Sequence, residues 1–121
     1  MAHSVTWFDI PVLDLERAIR FYTAVMGIEI EKESHGDKTI GVLPHRNDEV
    51  GGCLYPASSH RPSADGPLLY LNVDKRMDAA VAAVRANGGK VLQEKHAIGE
   101  YGWRAIVLDS EGNRLALHAA T

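Results

Sequence analysis

An α+β fold built from two copies of one βαβββ unit is what this sequence predicts, on three observations. Runs with the periods of strands and helices occur twice in the order β-α-β-β-β. Corresponding points of the two runs are offset almost constantly, by 61 residues from Val12 to Val73 and by 62 from both Leu15 to Met77 and Gly27 to Gly89. Such self-similarity marks an internal repeat. The second copy closes on Asp109-Ser110-Glu111-Gly112-Asn113 between the apolar runs Ala105 to Leu108 and Leu115 to Leu117, which reads as a β-hairpin, and a degenerate version lies around His45 to Leu54. The expected organisation is a single domain with one module over 1–55, a linker over 56–67 and a second module over 68–121.

Taken in order, Val5 to Val12 alternates, with Trp7, Asp9 and Pro11 on one face and Phe8, Ile10 and Val12 on the other, the period of a strand. Asp14 is a good helix N-cap, and Leu15, Ala18, Ile19, Tyr22, Val25 and Met26 form the apolar stripe of a core-facing helix. Gly27 sits where a left-handed C-terminal stop belongs. Ile28 to Glu31, Thr39 to Leu43 and Val50 to Tyr55 are the next strands, with a polar turn over Ser34 to Lys38. Between Tyr55 and Pro67, Pro56, Pro62 and Pro67 disfavour regular structure and indicate a connecting loop. Leu68 to Val73 is a strand, and Met77, Ala80, Val81 and Val84 mark a second helix stopping at Asn87-Gly88-Gly89. Lys90 to Gln93, Trp103 to Leu108 and Arg114 to His118 complete the second unit.

With 45% hydrophobic and 24% charged residues over 121 positions, the chain has the composition of one globular domain. Its 13 basic and 16 acidic residues leave no basic excess to attract a polyanion, so nucleic acid is not an expected partner. No apolar run approaches the roughly 20 residues of a membrane span. Met1 to Ile10 lacks a basic start followed by an apolar segment, so no signal peptide and no membrane partner are expected, and the location expected is cytoplasmic. The single cysteine, Cys53, excludes an internal disulfide and reads as a small core hydrophobe. The glycine pairs Gly51-Gly52 and Gly88-Gly89 lack the strand-to-helix context of a phosphate-binding loop and read as turn or cap residues.

A four-stranded sheet with one helix has one face covered, so its other face needs a partner, and two such units can enclose a cavity. The run from Val12-Leu13-Asp14-Leu15 through Phe21-Tyr22, the following Gly27 and the closing Asp109 to Asn113, in this paired arrangement, resemble the vicinal oxygen chelate superfamily of glyoxalases, bleomycin-resistance proteins and extradiol dioxygenases. The resemblance spans nearly the whole chain. It implies curved mixed sheets forming an open cup-like barrel, and a homodimer in which a second chain contributes to or closes the pocket. In metal-dependent members it implies His, Gln and Glu ligands on the first and last strands of each module.

Carried over residue by residue, those positions fall on Trp7, Leu68, Ala116 and, in the last strand of module one, Gly51, Gly52 or Cys53. Indole, alkyl and methyl groups offer a divalent ion no lone pairs. A slip of one residue would substitute Phe8 and Leu69, which offer none either. The expectation is therefore no metal and no cofactor, with Asp9, Glu49 and His118 as the alternative, an atypical metal site.

The candidate ligand-binding residues are Trp7, Asp9, Tyr70, Trp103, Arg114 and His118. Asp9 shares the face of Trp7, and a carboxylate there needs either a wet cavity or a bonded partner. Tyr70 is its counterpart 61 residues on, and Asn72 continues that face. Trp7 and Trp103 are either stacking surfaces for a planar ligand or core aromatics. Arg114 and His118 share the face of Ala116, and His118 is either a ligand contact or a strand-end histidine; His3, His35, His45 and His60 read as exposed. His96-Ala97-Ile98-Gly99-Glu100 resembles metal-ligand spacing only superficially, because no helix brings its ends onto one face. Two functions follow. One is a metal-free protein binding a small apolar or aromatic molecule; the other is a glyoxalase- or dioxygenase-like enzyme using an atypical metal site or Asp9 or His118 as general base.

Overall fold

The computed structural model describes residues 3–56 and 58–121. Met1 and Ala2, within the segment read for a leader, and Ala57, within the linker, lie outside the described residues. The first unit comprises β1 (Trp7–Pro11), α1 (Leu15–Met26), β2 (Glu31–His35), β3 (Lys38–Val42) and β4 (Gly51–Tyr55). The second comprises β5 (Leu69–Asn72), α2 (Met77–Ala86), β6 (Lys90–Ala97), a single 3₁₀ turn at Gly99–Tyr101, β7 (Trp103–Leu108) and β8 (Arg114–Ala119). Both make a four-stranded mixed sheet, ordered β1-β4-β3-β2 and β5-β8-β7-β6. The two orders are the same permutation of strands, so the repeat read from the sequence is a repeat of topology. The sheets are curved and do not close into a barrel.

Helix α1 begins and ends where its caps predict. The Asp14 carboxylate accepts from the Arg17 N–H at 3.1 Å, and Gly27 takes the left-handed conformation at φ 67° while its N–H closes on Thr23. Its buried side is broader than the expected stripe because Phe21 is fully buried as well. The helix packs against β3 and β4 and also against α2. At the far end of α1, Arg76 donates to the Ala24 and Val25 carbonyls at 3.2 and 3.4 Å, satisfying acceptors that the helix leaves open. One apolar core joins the modules, with Ile10, Tyr22, Val25 and Leu54 from the first and Val73, Val84, Val107 and Leu117 from the second. Burying each such side chain contributes roughly 1.5–3 kcal/mol.

Three boundaries depart from the sequence reading. The strand expected over Ile28 to Glu31 runs instead from Glu31 to His35, where every residue is exposed. Pairing with β3 in the register Glu33↔Ile40 holds it, and no burial pattern exists to announce it. Strand β6 continues past Gln93 to Ala97 through two register shifts. Gly51 and Gly52 are strand residues inside β4, opposite Trp7 and Phe8 of β1. No described helix is long and apolar enough to cross a membrane.

Candidate functional site

Strand parity decides which side chains reach the helix-free faces. On β1, Phe8, Ile10 and Val12 join the core, which turns Trp7 and Asp9 the other way. Trp7 Nε1 donates to Asp9 Oδ1 at 2.9 Å, and the Cys53 thiol donates to the same oxygen at 3.3 Å. Asp9 is thus a bonded carboxylate as well as a cavity residue. The Trp7 indole meets His45 edge-on at 5.4 Å, and Gly51 gives it room, since a Cβ there would lie 2.7 Å from the ring. Burial, with the Asp9 carboxylate beside it, pushes the Cys53 thiol up to about 12. A thiol of that kind is no nucleophile near neutrality. Iodoacetamide at pH 8 is therefore expected to leave native Cys53 unmodified and to label it once denaturant is added; rapid labelling of the native protein would contradict this.

On β5 and β8 the same parity places Tyr70, Asn72, Arg114, Ala116 and His118 on the helix-free face, with Tyr70 opposite Ala116 and Asn72 opposite His118. The Tyr70 and His118 rings approach edge-on at 6.1 Å. His118 Nε2 lies 2.6 Å from the Tyr101 carbonyl, which can only accept, so Nε2 carries the proton and Nδ1 is the basic nitrogen.

Trp103 does not join them. It pairs with Ala119, on the side of Ala105 and Leu117 that faces the helices, and carries the Lys95 ammonium 5.4 Å above its ring. In an antiparallel pair, directly opposite residues share a face, so Trp103 and His118 are on opposite sides of the sheet. The residue of β7 opposite His118 is Arg104. Arg104 donates from Nη1 to the Tyr70 hydroxyl at 2.7 Å and from Nε to His96 Nε2 at 3.1 Å. The sequence reading passed over Arg104 and considered His96 only as a metal-ligand spacing; applying to β7 the alternation it applied to β8 would have found Arg104.

Where β1 approaches β5 and β8 there is a cavity of about 270 Å³. Phe8, Ile10, Pro11, Pro67, Leu69 and Leu115 make its walls apolar, Asp9 and Arg114 bring charge, and His60 and Arg61 line it from the connecting loop. His60, read as a loop histidine, is therefore a lining residue. Of the six expected binding residues, this cavity takes Asp9 and Arg114; Trp7 is tied to it through Asp9, and Tyr70 and His118 stand together on the second sheet.

The metal positions implied by the resemblance do not fit an ion. Trp7 faces Gly51 across β1 and β4, Leu68 lies just before β5, and the β5 residue opposite Ala116 is Tyr70, so these positions and their neighbour carry at most a phenol oxygen. The alternative trio does not assemble either. Glu49 is in an exposed loop, where it accepts from the Arg46 N–H at 2.9 Å, and among the described residues no three His, Cys, Asp or Glu side chains converge.

The Asp109 to Asn113 turn is a structural joint. Asp109 Oδ1 accepts the Glu111 and Asn113 N–H groups at 2.8 and 2.9 Å, and its other oxygen takes the Tyr22 hydroxyl and the Asn113 amide. Asn113 also donates to the Pro11 carbonyl at 2.8 Å. Glu111 accepts the Leu13 and Asp14 N–H groups at 2.8 Å each and grips Arg17 through both oxygens at 2.7 and 2.9 Å. Burial would raise the Glu111 carboxyl, but Arg17 and the donors from Asp14, Ser110 and Leu13 outweigh it and hold the group down at about 2.

The Glyoxalase/Bleomycin resistance protein/Dioxygenase superfamily is matched over residues 4–117. A glyoxylase-like domain-containing protein of Didymella fabae is 28% identical over 102 residues, 80% of this chain and 77% of that protein. CFP32 of Mycobacterium bovis, which carries a glyoxylase name, is 30% identical over 110 residues; these cover 90% of this chain and 41% of that protein, so the chain spans less than half its length. Among solved structures, a glyoxalase/bleomycin resistance protein from Albidiferax ferrireducens superposes with a TM-score of 0.76 at 19% identity, covering 97% of this chain and 98% of that one, a likeness of fold.

Proposed function

We propose that this chain, which belongs to the Glyoxalase/Bleomycin resistance protein/Dioxygenase superfamily, is a metal-free binding protein for a small apolar or aromatic molecule, seated in the cavity where its two modules meet. The carrying observation is the character of that cavity. Its walls are apolar, it holds a few convergent polar groups, and about 270 Å³ suits a ligand the size of a single substituted ring. The positions that would have to supply metal ligands hold indole, glycine, alkyl and methyl groups instead, which favours binding through packing and hydrogen bonds. Trp7 stands 42% exposed on the helix-free face of the first sheet, more than a large aromatic usually shows, and a homodimer in which a second copy covers that side of the pocket is part of the same proposal.

The test is a thermal-shift titration of protein prepared without added metal, with phenol and indole in one arm and Zn²⁺, Mn²⁺ and Ni²⁺ in the other. The aromatics are expected to raise the melting temperature and the ions to leave it unchanged, with a dimer in sedimentation at micromolar concentration. A stoichiometric divalent ion retained through purification, or stabilisation by a metal alone, would overturn the reading. An enzymatic reading is favoured by His118, whose Nδ1 is the basic nitrogen on the sheet face and could accept a substrate proton. Its discriminating result would be turnover of a glyoxalase-type substrate that His118→Gln abolishes without altering the melting temperature.

A further inference from the structure

We propose that the helix-free face of the second sheet carries an oxyanion subsite centred on the Arg104 guanidinium, built for the carboxylate of a small organic acid. The inference does not depend on what fills the cavity between the modules.

Arg104, the second residue of β7, is partly buried, and each of its hydrogen bonds goes to a neutral acceptor. One is the Tyr70 hydroxyl oxygen. The other is His96 Nε2, whose protonation state is fixed by geometry. His96 Nδ1 lies 2.9 Å from the Glu94 carbonyl and must donate to it, while Nε2 accepts from Arg104, so the ring is neutral. None of the ion pairs formed among the described residues includes Arg104. A cation withdrawn part-way from water normally finds a carboxylate. Here the surrounding face offers none: His118 is opposite Arg104, and Ile106 and Ala116 lie beside them, the last two buried although outside the main core.

The bonds that Arg104 does make orient it. Nε and Nη1 are held by His96 and Tyr70, which fixes the plane of the fork and leaves the Nη2 hydrogens uncommitted. Tyr70 spends its oxygen lone pair on Arg104, so its own O–H remains to donate outward. The side chains reach each other across β8 at Ala116, where a larger residue would block them. The result is a pre-oriented cation with a hydroxyl donor beside it over an apolar floor, the donor arrangement that a carboxylate satisfies through charge-assisted bonds.

The test uses sodium benzoate as the anion and benzamide as its uncharged isostere, titrated into the full-length ¹⁵N-labelled protein with the Arg104 Nε–H and backbone resonances followed by NMR. Benzoate is expected to shift the Arg104 Nε–H signal saturably, and benzamide is expected to leave it in place. Arg104→Ala should weaken benzoate at least tenfold, Arg104→Lys should fall between, and Tyr70→Phe should weaken it severalfold, all with unchanged sedimentation. Three results would overturn the proposal: benzamide and benzoate acting alike, an Arg104 signal that benzoate does not move in the unmodified protein, or Arg104→Ala changing the oligomeric state, which would mean that the missing carboxylate belongs to a second copy of the chain. The wild-type titration decides the matter even where Arg104→Ala fails to fold.

Discussion

Glu111→Ala should cost about 2–4 kcal/mol of unfolding free energy, the effect of leaving two backbone donors without their acceptor at about 1–3 kcal/mol each. The Glu111 side chain is fully buried while Arg17 keeps a water-exposed edge, so the loss comes chiefly from the orphaned donors on Leu13 and Asp14 at the start of α1. For a domain of this size that corresponds to a melting point lower by roughly 10–20 °C. Urea unfolding checks it, and a loss below about 1 kcal/mol would contradict the role assigned to this residue. The same carboxylate sets an acid dependence. Its folded value of about 2 lies below the ordinary 4.5, so the stabilisation is complete above pH 4.5 and is lost as pH falls from there toward 2. Its size is on the order of 3 kcal/mol. Glu111→Gln keeps an acceptor but cannot titrate, so its stability should vary less than the wild type's across that window, and a parallel pH profile would argue that other carboxylates carry the dependence.

Gly52→Ala should destabilise by about 1–3 kcal/mol through overpacking. Its Cβ would stand 2.3 Å from the tip of the Phe8 ring, which the parallel register of β1 and β4 places directly opposite and which packs against the core. The neighbouring Gly51→Ala meets Trp7 at 2.7 Å, but that ring is 42% exposed and can swing outward, so the penalty there should be smaller and should show as a change in Trp7 fluorescence. Pairing Gly52→Ala with Phe8→Leu should give less than the sum of the single effects, because the shorter side chain removes the clash. Strict additivity would mean that ring and methyl do not meet.

The fold was legible because its signals are local and redundant. Asp14 and Gly27 bracket α1, Trp103 to Leu108 is apolar at every position but Arg104, and the offset of 61–62 residues repeats the pattern. Strand β2 was displaced in the reading because Glu31 to His35 is exposed on both faces, and only its partner β3 makes it a strand. Which face a side chain takes was legible where parity alone decides, as for Asp9, Arg114 and His118. It was not legible at Trp103, whose facing depends on the pairing with Ala119, nor at Arg104 and His96, whose contacts exist only once β5, β7 and β6 lie side by side. The acidic turn was read as a hairpin signature, which it is. That Glu111 reaches back some hundred residues to the first helix is a long-range fact without a local pattern.

That reach has a consequence for how the chain folds. The acceptor that completes the start of α1 belongs to the last hairpin of the chain, and the hydroxyl of Tyr22 on α1 in turn is held by Asp109 in the same hairpin. A first module standing alone would lack the acceptor for the donors at the start of its helix and the carboxylate that holds its Tyr22 hydroxyl. The repeated halves are therefore expected to fold together rather than one by one, and contacts of such high sequence separation are expected to slow that step.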